Sequence, residues 1–110
     1  MFLSYELYCE VYELYDRVMD HYGRPIGRED WDPELVIYCD PEDGYGWYAY
    51  DEIGINVGIC ENWADIVGTL IHEVWHYQQG PDRDDEDAYE QEAAEVTARD
   101  LHLFLTPRAA

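Results

Sequence analysis

Two histidines separated by four positions, with a glutamate directly after the first, offer the clearest chemistry in the chain. His72, Glu73 and His76 lie in the segment LIHEVWHYQQ, residues 70–79. Zinc prefers neutral imidazole nitrogens in tetrahedral geometry, and residues four apart on a helix project side by side. A bound zinc ion lowers the pKa of its water to about 7, so a nearby glutamate can accept that water's proton. The spacing therefore predicts a zinc site that carries its own general base.

The helical periodicity of this segment distinguishes such a site from three polar residues on an ordinary helix. At about 100° per residue, the large apolar side chains share one face. They are Trp63, Val67, Leu70, Val74 and Tyr77. His72 and His76 lie about 40° apart on the opposite side, and Glu73 lies about 60° from His76 at the flank. We therefore expect both imidazoles to reach one ion, while the carboxylate reaches a water molecule on that ion.

The motif by itself leaves the third protein ligand open, and a catalytic zinc site needs one. The candidates are two further histidines and three glutamates of the last predicted helix: His21, His102, Glu90, Glu92 and Glu95. The helical wheel puts Glu95 among solvent-facing residues, whereas Glu90 and Glu92 lie on opposite borders of the inward face. His21 and His102 are interpreted as ordinary surface histidines. The periodicity removes Glu95 and does not decide between Glu90 and Glu92.

The elements that must position these residues follow from periodicity, caps and turn residues. The predicted elements are a helix at 4–22, strands at 35–39, 47–52 and 53–59, a helix from 62 to about 79, and a last helix at about 87–105. Ser4 and Asn62 are suitable N-caps, and Gly23 and Gly80 follow the first two helices. This order predicts one α+β domain with an N-terminal helix, a small three-stranded sheet, an active-site helix and a glutamate-bearing C-terminal helix.

Composition restricts the partners and the surroundings of the chain. It has 110 residues, 47% of them hydrophobic, with a formal net charge of −20 and no lysine. A chain of this size can bury one core, and its negative charge repels nucleic acid and anionic lipid. Its three widely spaced cysteines form no CxxC pair, which favours reduced thiols. With acidic residues near the N-terminus and no long apolar segment, we expect a cytoplasmic protein.

The segments IHEVWHYQQ and YEQEAAEVTA together resemble the gluzincin metallopeptidases. In that family HExxH is followed by a glutamate on a second helix, commonly in an E-A-x-x-x-A-like segment. The short chain and its order of elements are similar to the minimal members, over residues 46–103. The resemblance implies a zinc-dependent endopeptidase acting on peptides or proteins. It implies that His72, His76 and Glu92 bind Zn²⁺, that Glu73 is the general base, and that 47–52 forms a rim pairing with extended substrate.

Two departures from the family pattern accompany this resemblance. Larger gluzincins have an aspartate four residues after the ligand glutamate, where this chain has Val96. No residue clearly matches their oxyanion-stabilising tyrosine or histidine, and Tyr77 and Tyr89 are the candidates for oxyanion or substrate contacts. Two other functions fit the sequence: a catalytically inactive domain in which zinc only stabilises the fold, and an acidic mimic of nucleic acid that binds a basic protein.

Overall fold

The computed structural model describes residues 1–25, 27–28, 31–49, 51–80 and 85–105. Its elements are α1 (Tyr5–Tyr22), β1 (Glu34–Tyr38), β2 (Gly46–Ala49), β3 (Glu52–Asn56), α2 (Trp63–Gln79) and α3 (Glu86–Phe104). The predicted α+β arrangement is confirmed, with three helices and one three-stranded sheet. The third strand ends at Asn56 rather than at 59, because residues 57–59 form a turn. Residue 50, within the second predicted strand, lies outside the described residues.

Each helix begins after a short polar residue whose side chain supplies a hydrogen-bond acceptor to a backbone N–H of the first turn. The side chains of Ser4, Asn62 and Asp85 each accept a hydrogen bond from the backbone N–H three residues later. These contacts satisfy N–H groups that lack an acceptor in the first helical turn. α2 ends before Gly80, whose φ of 86° suits glycine better than any other residue. The caps therefore hold both ends of the helix that carries the histidine motif.

The sheet has the order β1-β3-β2, so the last strand of the chain lies in the centre. β1 runs parallel to β3, with Ile37 opposite Ile55, and β2 runs antiparallel to β3, with Trp47 opposite Gly54. Ile53 and Ile55 of β3 are fully buried. The most deeply buried strand thus takes the central position, and β2 forms an outer edge.

One hydrophobic core joins the three helices to the sheet. Its fully buried side chains include Val11, Val18, Ile53, Ile55, Leu70 and Val74. α2 supplies a large share of it, because its residues 66, 67, 70, 71, 74 and 77 all face inward. Within the described ranges, none of the helices combines the length and apolar character that crossing a bilayer requires. Burial of this face of α2 leaves its opposite face for the histidine motif.

Candidate functional site

A cleft of about 630 Å³ runs between α2, α3 and the beginning of β2. Its walls include Tyr45 and Gly46 on the sheet side, Thr69 on α2, and Ala94 and Leu101 on α3. Several of these side chains are small, which lets the two helices approach closely without closing the groove. The cleft also reaches His72, Glu73 and Glu90. Two residues of the sequence-predicted motif, His72 and Glu73, therefore line an open concave site.

The three residues of the motif come together at one end of this cleft. One ligating atom from each of His72, Glu73 and His76 lies within 4.8 Å of the others. The Nε2 atoms of the two histidines are 3.1 Å apart, and their rings are nearly perpendicular, at 84°. The side chain of His76 is 3% exposed and that of His72 is 31% exposed. The pair is thus covered on one side and open to the cleft on the other.

A carboxylate from α3 completes the group, and it belongs to Glu90. Its Oε1 lies 2.8 Å from Nε2 of His76, and its Oε2 lies 3.0 Å from Nε2 of His72. The two oxygens therefore span both imidazoles. Glu90 was one of the two residues that helical periodicity left open, and the packing of α3 against α2 brings it to the histidines.

Glu92, which the family resemblance designates as the third ligand, contacts other residues. Its Oε1 accepts hydrogen bonds from Nε1 of Trp75 at 2.8 Å and from Nε2 of Gln79 at 3.3 Å. The reason is the rotation of α3, whose Ala93 and Val96 are buried in the interior. With those residues inward, positions 90 and 92 emerge on opposite flanks of the helix. The structure thus places the carboxylate of Glu90, and not that of Glu92, against the imidazoles.

The rim of the cleft depends on a fully buried asparagine in the central strand. Oδ1 of Asn56 accepts from the backbone N–H groups of Asp40 and Gly58, at 2.9 and 3.0 Å. Its Nδ2 donates to the carbonyls of Asp40 and Gly44, at 2.6 and 2.9 Å. These bonds hold the loop before β2 and thereby present Tyr45 at the cleft. Sequence reasoning missed this tyrosine, because its exposure depends on the loop's folded path.

β2 lies very close to α2 beside Glu73, the candidate general base. A Cβ atom at Gly46 would lie 2.8 Å from Cγ2 of Thr69 and 2.6 Å from the carbonyl oxygen of Gly54. The same Cβ would lie 3.6 Å from Cγ of Glu73. Only a residue without a side chain allows the strand to lie so near the helix at this point. Gly46 therefore sets the distance between the outer strand and the cleft floor.

The two tyrosines predicted as oxyanion or substrate contacts are not among the described residues that line the cleft. Tyr77 is fully buried and its hydroxyl donates to the Trp31 carbonyl at 3.0 Å. Tyr89 is half-buried, and its backbone carbonyl accepts from Gln79 at 2.9 Å. Tyr45 is the tyrosine of the described residues that lines the cleft.

Comparison with family models, with curated proteins and with solved structures finds no match for this chain. Its function is therefore inferred from the side chains that meet in the cleft and from the space around them.

Proposed function

We propose that the protein is a zinc-dependent endopeptidase whose metal ligands are His72, His76 and Glu90, with Glu73 as general base. The proposal rests on one observation: two imidazole nitrogens and one carboxylate meet within 3.1 Å of one another at the wall of an open cleft, which His72 and Glu90 line. A glutamate directly follows the first histidine and lies in the same group. This is the donor set and the base that metal-assisted hydrolysis requires.

The separations between the donor atoms fit a zinc ion. Bonds of about 2.0–2.1 Å in a tetrahedron separate neighbouring ligand atoms by roughly 3.3 Å. The two Nε2 atoms are 3.1 Å apart, and the Glu90 oxygens lie at 2.8 and 3.0 Å from them. Small side-chain movements would accommodate the ion. Two imidazoles and one carboxylate are also a common ligand set of catalytic zinc.

The roles of the residues follow from their exposure and neighbours. A zinc ion at this position would supply Lewis-acid chemistry, lowering the pKa of water and polarising a peptide carbonyl. Glu73 is buried next to both histidines, so it can take the proton of an attacking water molecule and pass it to the departing amine. The open side of His72 leaves room for the reacting peptide. Structural zinc sites are instead closed by four protein ligands, which favours the catalytic interpretation over a purely stabilising one.

The neighbourhood of the cleft suits an extended peptide. β2 is an outer strand, so along one edge it has no strand neighbour among the described residues. An extended peptide can add to such an edge through backbone hydrogen bonds. Gly46 connects that strand to the cleft, and the groove continues between α2 and α3 past Thr69 and Leu101. We therefore assign peptides or proteins as the substrate class.

The proposal is tested by metal content and peptide cleavage in the purified protein. We expect about one zinc ion per chain and cleavage of an unstructured protein such as casein, abolished by a chelator and restored by zinc. Glu73→Gln should keep the zinc and lose cleavage by at least about 10²-fold, because general-base catalysis is typically worth 10²–10⁴-fold. His72→Ala should lose both.

The matched control is Glu95→Gln, which makes the same change of charge on α3 at an exposed position. It should leave zinc content and cleavage unchanged. A wild-type protein that takes up no zinc would refute the proposal. Zinc uptake with a large gain in thermal stability, but no cleavage of any peptide tested, would show instead that the metal only stabilises the fold.

A further inference from the structure

Gln79 lies three residues after His76 and joins its imidazole to α3. Its Oε1 lies 2.8 Å from Nδ1 of His76. Its Nε2 donates to the backbone carbonyl of Tyr89 at 2.9 Å and to Oε1 of Glu92 at 3.3 Å. The side chain therefore links the nitrogen of His76 that faces away from the cluster to a carboxylate of the other helix.

The partners of Gln79 determine which way its amide points. A carbonyl and a carboxylate only accept hydrogen bonds, so the NH₂ group must face Tyr89 and Glu92. The amide oxygen is then left for Nδ1 of His76, and it can only accept. Nδ1 must therefore carry the proton, which leaves a lone pair on Nε2 when the imidazole is neutral. That lone pair is directed at His72 and Glu90, where the proposed ion would bind.

Glu92 is itself held in position by a second donor. Its Oε1 accepts from the indole N–H of Trp75 at 2.8 Å as well as from Gln79. Trp75 is half-buried, and its ring packs edge-on against Tyr22 at a centroid distance of 5.4 Å. The hydrogen bond from Trp75 thus fixes the position of the Glu92 carboxylate. The carboxylate in turn orients the amide of Gln79, which donates to it.

We propose that Gln79 and Glu92 are positioning residues that hold His76 in its metal-binding tautomer, an inference that rests on the proposed zinc site. Neither residue is a ligand in this arrangement. Outer hydrogen bonds to a ligating histidine fix its tautomer and ring orientation, and their loss typically weakens metal binding by about 10- to 100-fold. The glutamate that the family resemblance designates as a ligand thereby acts two hydrogen bonds away from the ion.

The first experiment measures zinc affinity by competition with a chromogenic chelator. Gln79→Leu should bind zinc about 10- to 100-fold more weakly than wild type. Glu92→Ala should also weaken binding, whereas Glu92→Gln should remain close to wild type, because one amide oxygen can accept both hydrogen bonds that Oε1 of Glu92 now accepts. Glu95→Ala, on the exposed side of α3, is the control and should have no effect.

Two outcomes of that experiment would overturn the inference. If Glu92→Gln loses zinc as completely as His76→Ala, then Glu92 is a ligand rather than a positioning residue. If Gln79→Leu binds zinc as tightly as wild type, then the hydrogen bond to Nδ1 has no effect on the site. Thermal unfolding of the metal-free variants should match wild type and exclude a general loss of fold.

The second experiment observes the tautomer directly and needs no metal. At about pH 9 a histidine is neutral, and the ¹⁵N resonances of its ring distinguish the two tautomers. The carboxylate of Glu90 would itself attract a proton to Nε2 in the metal-free protein, so the comparison is made in Glu90→Leu. There His76 should carry its proton on Nδ1, and adding Gln79→Leu should shift it toward Nε2, which the free histidine side chain prefers. If His76 of Glu90→Leu carries its proton on Nε2, the inference is overturned even if the wild-type protein binds zinc. If the tautomer behaves as expected but the protein has no affinity for zinc, only the proposed function is refuted.

Discussion

Single buried side chains also tie the helices together away from the cleft. Asp100 of α3 is buried and accepts hydrogen bonds from Arg99 at 2.8 Å and from the Tyr22 hydroxyl of α1 at 2.7 Å. The bond from Arg99 is the larger cause, and together they hold the pKa of Asp100 at about 2, below its ordinary value of 3.8, although burial opposes this. The carboxylate is therefore favoured in its charged form in the folded protein.

This residue makes stability depend on acid pH. A carboxyl whose pKa is lowered by folding stabilises the protein above its unfolded pKa of 3.8 and loses that effect as the pH falls toward 2. Asp100→Asn should lower the free energy of unfolding by about 1 kcal/mol at pH 7, since water weakens the contact with exposed Arg99. Urea unfolding at several pH values measures this, and the deficit should shrink below pH 4. A deficit independent of pH would contradict the expectation, and Glu95→Gln is the control.

At the scale of the elements, the contact between β2 and α2 decides the width of the cleft. The strand can lie against the helix because Gly46 has no side chain, and the loop that leads into it is held by buried Asn56. A Cβ atom at Gly44, two residues earlier in the same loop, would meet nothing within 4 Å. The two glycines thus form a matched pair, one enclosed and one in open space.

Adding a methyl group at each glycine tests this packing. Gly46→Ala should lower the free energy of unfolding by about 1–3 kcal/mol, because overpacking forces backbone or side chains to move. It should also reduce cleavage, since β2 moves relative to Glu73. Gly44→Ala should leave stability unchanged or raise it by up to about 1 kcal/mol, because alanine restricts the unfolded chain. Urea unfolding of both variants provides the comparison, and equal effects would show that the close approach is not tight.

At the scale of the whole molecule, the dominant property is repulsion between carboxylates. The chain carries 26 acidic residues against 6 arginines, and its extents are 37 × 34 × 25 Å. The Debye length is about 30 Å at 0.01 M salt and about 8 Å at 0.15 M. At low salt every carboxylate therefore acts on nearly every other one, whereas at physiological salt only neighbours interact. This repulsion destabilises the compact state.

Salt should consequently stabilise the protein. Raising NaCl from 0.01 to 0.5 M should increase Tm by about 5–10 °C, which corresponds to about 1–2 kcal/mol for a domain of this size. Differential scanning fluorimetry or circular dichroism measures the change. Choline chloride at equal ionic strength should act similarly, because screening does not depend on the cation. A Tm that stays constant across this range would mean that the carboxylates are already balanced by local contacts.

The sequence by itself determined the features that depend on neighbours along the chain. Helices were predicted from their periodicity and from caps such as Ser4 and Asn62, and these caps are present. The spacing of His72 and His76 on one helix brings their rings together in any packing of the chain. The α+β order followed from the same local patterns. Local geometry is set by adjacent residues, which explains why these features could be predicted.

Only the tertiary structure decided which parts of separate elements meet. The rotation of α3 against α2 brings Glu90 rather than Glu92 to the histidines, a difference of two residues that helical periodicity leaves open. The sheet order puts β2 at an edge, and buried Asn56 presents Tyr45 at the cleft. These choices arise from the packing of elements distant in sequence, where the best burial of apolar side chains selects one arrangement among several that the sequence pattern permits.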